Sequence, residues 1–159
     1  MLTWGLHTDN LTTKLSTACY VIRSIKPLVS HKTLLLIYHS RIHTVTSYGI
    51  ILWGNSCHSV HIFWTKKRVS RTTTGCGTRE SCRILFKKLI ILPLTSEYIL
   101  SLIIFGVNNG EHFVINSEIH NINTRHCSNL HLHLENLDIY QIITVQVLRC
   151  LIVFLSTLK

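Results

Sequence analysis

Acidic side chains are scarce in this sequence: Asp9, Glu80, Glu97, Glu111, Glu118, Glu135 and Asp138 are all that 159 residues contain. No two form an Asp-Asp or Asp-x-Asp pair, so a ligand set for two-metal phosphoryl transfer is missing. Charged residues of both signs make up only 14% of the chain, against about a quarter in an ordinary soluble domain. The surface is therefore short of solubilising charge, which argues against an independently evolved soluble domain. Glycine is sparse too, and Gly75-Cys76-Gly77 is followed by no Gly-Lys-Ser/Thr, which excludes a phosphate-binding loop. The six cysteines are scattered, and the opening MLTWGLHTDN has neither a basic nor an apolar signal region. Reduced thiols and an intracellular location, cytoplasmic or nuclear, are expected.

What the sequence has instead is hydrophobicity, at 47% of residues, together with a formal net charge of +9. That much apolar content excludes an intrinsically disordered tail. The length suits one ordinary domain. Two apolar stretches, 89–107 and 142–158, approach the length of a membrane span. They carry Pro93, Glu97 and Arg149, and a charge costs about 2.5–3.5 kcal/mol at a bilayer centre. Buried segments are therefore expected and a membrane span is not.

The periodicities predict a mainly α fold. Leu11, Leu15, Ala18, Cys19, Ile22 and Ile25 form a helical stripe over residues 6–26, stopped by Pro27. A second helix is expected over 33–51, with Leu35, Leu36, Ile42 and Val45 available to one face. A third follows over 58–73, its second half weak because Ser70 to Thr74 lacks good helix formers. Residues 79–89 predict a short helix near Ser81, and 97–107 a buried one capped by Thr95 or Ser96. Residues 108–141 are rich in Asn and His without a sustained period and read as an irregular arm. An apolar tail occupies 142–159.

Three chemistries are conceivable for these residues. Cys57-His58 with His61, and His126-Cys127 with His131 and His133, lack the paired spacing of a zinc site, so no metal or other cofactor is expected. Cys76 and Cys82 have no orienting group at a defined spacing, so no catalytic residue is assigned. The basic run is the strongest signal. Lys66, Lys67, Arg68, Arg71, Arg83, Lys87 and Lys88, with Arg79, face a single acid, Glu80, and Arg83 and Lys87 share a helix face at i, i+4. Such density suits a nucleic-acid phosphate backbone, although a solvated basic surface accounts for it equally well.

The order of several elements resembles a family. Ser47-Tyr48-Gly49 with Trp53-Gly54-Asn55-Ser56, then Glu80-Ser81-Cys82-Arg83 with Leu85-Phe86-Lys87-Lys88-Leu89, then Thr124-Arg125, are similar in order and spacing to the C-terminal part of jockey-like non-LTR retrotransposon reverse transcriptases of arthropod type. The likeness spans residues 2–141. It implies a helical thumb-like region over 1–107 that clasps template and primer, whose catalytic Ala-Asp-Asp motif lies upstream of the matched part. The chain is then expected to be truncated before Met1 and to be no enzyme by itself. Weak binding to an RNA or DNA backbone through the seven cations named above remains, with no small-molecule substrate. Where the family has an apolar face beyond Trp64, Ser70, Thr72 and Thr73 place hydroxyls here, each costing about 1–3 kcal/mol if unsatisfied.

After Tyr140 the likeness stops. Residues 144–159, back-translated with permitted codons and read from the third nucleotide of the Thr144 codon, can give Cys-Ser-Gly-Phe-Lys-Val-Phe-Asn-Ser-Leu-Pro-Phe-Tyr-Leu-Lys, which resembles the family ending. A frameshift near Gln141 is the expectation that follows. The competing expectation is a poorly folded product of a degenerate transposon copy, with no biochemical role, whose apolar tail would favour membrane association.

Overall fold

Leu11, Leu15, Cys19 and Ile22 recur every three or four residues, and in α1 (Gly5–Ile25) they form one buried stripe. The computed structural model describes residues 4–77, 79–109 and 116–120. Of these residues 78% are helical and none is in a strand, so the chain is mainly α as its periodicities predict. It divides into two units, Met1–Tyr98 and Ile99–Lys159. Among the described residues no single helix is long and apolar enough to cross a membrane.

In the first unit α1 ends before Pro27, where the Lys26 amide makes the last helical bond to Ile22 O at 3.1 Å. Ser30 caps α2 (His31–Ile37), its Oγ accepting from the Thr33 amide. The single helix expected over 33–51 is broken. Residues Tyr38–His43 widen into a π-helical turn, α3 (Thr44–Ser47) follows, and α4 (Ile50–Trp53) begins after a break. The break lies at Tyr48, which turns extended, and at Gly49, whose φ of +61° is left-handed. The Trp53 indole donates to Tyr48 O at 3.0 Å and closes the corner.

Helix α5 (Ser59–Thr74) runs through the residues expected to be weak, and the reason is hydroxyl bonding. Ser70 donates to Lys66 O, Thr72 to Arg68 O and Thr73 to Val69 O, each at 3.0 Å. Each hydroxyl finds its acceptor one turn back in its own helix, so the anticipated desolvation cost does not arise. Ser70 and Thr73 are also buried, on the same stripe as Ile62 and Val69. α1 packs on α5 more extensively than any other pair of elements.

Helix α6 (Cys82–Leu89) buries Cys82, Leu85, Phe86 and Leu89. It closes with the Ile91 amide bonded to Phe86 O at 2.9 Å and the Ile90 amide to Lys87 O at 3.2 Å. Those two bonds define a Schellman motif, with Ile90 in the left-handed position usually given to glycine, at a φ of 55°. Helix α7 (Leu94–Asn108) starts earlier than expected, directly after Pro93. Pro93 O accepts from the Glu97 amide, so neither Thr95 nor Ser96 is the cap.

The division between the units falls inside α7. In the second unit the described residues are the rest of α7 and α8 (Asn116–His120), a short helix within the stretch expected to be an irregular arm. Most of that arm, the apolar tail and the candidate frameshift near Gln141 lie outside the described residues.

Candidate nucleic-acid interface

Helical periodicity sorts the basic run of α5 into three faces. Ile62, Lys66, Val69, Ser70 and Thr73 face inward and are buried. Phe63 and Lys67 share a second face, where the Lys67 ammonium lies 4.2 Å from the Phe63 ring centroid. His61, Trp64, Thr65, Arg68, Arg71 and Thr72 fall on the third, spaced by three and four residues, and line a groove.

The opposite wall of that groove comes from α1 and its end, through Thr12, Ser16, Arg23 and Lys26. The groove encloses about 940 Å³ and brings four cations together, Arg23, Lys26, Arg68 and Arg71, with no carboxylate among the described residues that line it. A concave surface lined by one sign of charge concentrates counter-charged ligands. Lys26 Nζ donates to Thr72 O at 2.7 Å, placing a cation at the C-terminal end of the α5 dipole. Gly75 makes that approach possible: its φ is +79°, and a Cβ there would lie 2.8 Å from Lys26 Nζ. Arg71 Nη2 reaches Glu80 O at 3.4 Å, while its buried Nε has no partner among the described residues. Trp64 stays 60% exposed on the groove wall, in a T-shaped contact with His61 at 5.8 Å between ring centroids.

The candidate phosphate contacts are thus divided. Arg68 and Arg71 line the groove. Lys67 lies over Phe63 on another face of α5. Arg83 and Lys87 line a separate apolar groove of about 430 Å³ with Phe86 and Ile90, and Lys88 is exposed on α6 but lines neither.

Lys66 is corrected outright. It is buried, with its ammonium bonded to Glu97 Oε2 and to Leu92 O. A cation on the inward stripe cannot touch a phosphate backbone. Sequence reasoning missed Arg23 and Lys26 as partners of the cluster. The sequence places Thr12, Ser16 and Arg23 on one face of α1, beside the buried stripe, but only the packing of α1 on α5 brings that face to the cluster.

Glu97 in turn joins Lys66 to the π turn. His43 Nδ1 lies 2.9 Å from Glu97 Oε1, an oxygen that makes no hydrogen bond among the described residues. Burial pushes the Lys66 ammonium below the ordinary lysine range, against the opposing pull of Glu97. Burial likewise raises the Tyr38 phenol well above its usual range, helped by the Glu97 charge. Among the described residues no group of three or more His, Cys, Asp or Glu side chains is placed to hold a metal ion.

Comparison with protein-family models, curated proteins and solved structures finds no match to this chain.

Proposed function

We propose that these residues act as the clasping, thumb-side part of a retrotransposon-type reverse transcriptase and bind the phosphate backbone of RNA or DNA without performing catalysis. The observation that carries this reading is the α1–α5 groove, where four cations converge with no acid between them among the described residues. The resemblance in residues 2–141 supplies the class of polymer. No Asp-Asp pair exists anywhere in the sequence to bind catalytic metals, so the proposed role is binding.

Binding through phosphate neutralisation has a measurable signature. Four contacts give a fall of log K with log salt of slope about −3.6 on duplex DNA and about −2.8 on a single strand. Fluorescence anisotropy with labelled oligonucleotides across a salt series checks it. The reading fails if no binding occurs at low salt, or if affinity is indifferent to salt.

A further inference from the structure

A clasp for phosphates needs cations and nothing else, yet this groove also exposes a large apolar side chain, an indole. Trp64 is 60% open to solvent on a wall otherwise made of polar and basic groups. Of the other tryptophans, Trp53 is buried and bonded to Tyr48 O. His61 stands nearly perpendicular to the Trp64 ring, at 83°, and packs against it one turn back on the same helix face. Arg68 is one turn further along the same face of α5, with Arg71 beyond it and Arg23 across the groove.

An aromatic plane followed by a row of cations matches a nucleotide whose base is free. Duplex nucleic acid keeps its base faces stacked inside and offers only phosphate and sugar to such a wall. A single strand offers both, and base–aromatic stacking tolerates any sequence because every base has a π face. We infer that the α1–α5 groove takes a single strand, stacking one unpaired base on Trp64 while Arg23, Lys26, Arg68 and Arg71 track the phosphates. The inference rests on the proposed backbone binding and adds which form of nucleic acid the groove selects.

Three probes of equal length, about 12 nucleotides and so within the usual span of single-strand sites, separate the contributions: a mixed-sequence single strand, an abasic strand with the same phosphates, and a duplex. The full chain is expected to bind the single strand more tightly than the abasic strand, and binding should quench indole fluorescence. Trp64→Ala is expected to lower single-strand affinity by between about five-fold and about a hundredfold, leaving abasic affinity and the salt slope unchanged. Trp64→Phe should recover part of the loss. Equal affinity for the base-bearing and abasic strands, or a Trp64→Ala loss that is the same on all three probes, overturns the stacking while leaving the backbone clasp standing. Failure of every probe to bind at low salt overturns both.

Discussion

Lys66 and Glu97, on α5 and α7, form an ion pair closed to solvent from both sides, with side chains 1% and 4% exposed. Two residues read separately from the sequence, one as a phosphate contact and the other as a charge too costly for a membrane, are each other's partner. Removing one member strands the other in the interior. Lys66→Met is expected to cost about 3–5 kcal/mol, and the double replacement Lys66→Met with Glu97→Leu to recover most of it. Urea unfolding of the three proteins measures this. A Lys66→Met protein as stable as the parent would show that the pair is not formed.

Tyr38 sits beside this pair, 1% exposed, with a hydroxyl that finds no partner among the described residues. Tyr38→Phe is therefore expected to raise stability by about 1 kcal/mol, whereas Tyr38→Ala costs about 3–5 kcal/mol through the cavity left behind. The phenol also makes stability depend on pH. Its folded pKa is raised above the ordinary 10.0, so the folded chain holds the proton after the unfolded chain has released it. Stability is intact below pH 10 and is lost as pH rises beyond it, by about 1.4 kcal/mol per unit. Lys66 works in the opposite direction: its pKa is lowered from 10.5, so its contribution to stability grows as pH climbs towards that value. The difference between wild type and Tyr38→Phe across pH 9 to 12 isolates the phenol, and parallel curves would refute this account.

Ile90 carries a branched side chain in a left-handed conformation and is 88% exposed, so its side chain returns little for the strain. Ile90→Gly is expected to stabilise the chain by about 1–2 kcal/mol, because the Schellman bonds to Phe86 and Lys87 remain while the Cβ clash disappears. Thermal melting by circular dichroism provides the comparison, and a lower midpoint in the glycine variant would count against it.

The division of cations between faces yields a contrast. Arg68→Ala combined with Arg71→Ala is expected to weaken the salt slope of oligonucleotide binding by about 1.4 on a single strand. Lys88→Ala, on an exposed position outside the groove, is expected to leave the slope as it was. An equal change in both would mean that diffuse charge, not the groove, holds the polymer.

Much of the fold was legible because it is written in short-range periodicity. The stripe of Leu11, Leu15, Cys19 and Ile22 and the stop at Pro27 place α1 to within a residue or two. The break at Tyr48 and Gly49 was harder, because the β-branched and aromatic run from Val45 to Trp53 does not say where the chain turns left-handed. The strength of α5 is not legible from propensity, because Ser70 to Thr74 lacks good helix formers and the hydroxyls of Ser70, Thr72 and Thr73 read as costly on an apolar face, when each can return its hydroxyl to the turn before. The site was legible only in part. The density of charge pointed to α5, but density ignores rotation about the helix axis, and that rotation sends Lys66 inward and Arg68 to the groove. Arg23 and Lys26 were invisible to a reading confined to one run, since what joins them to it is the packing of α1 on α5.

The π-helical turn at Tyr38–His43 holds one residue more than an α-helical path needs. Each residue of an ordinary helix advances the chain by about 100° around the axis, so such a surplus re-aims everything downstream of it. Here Tyr38 and Ile42 both stay buried while His43 still reaches Glu97. Chain length in this short stretch thus acts as a specificity element in its own right. A copy of the sequence that kept every side chain but dropped one residue from the turn would retain its composition and lose the alignment of its buried charges.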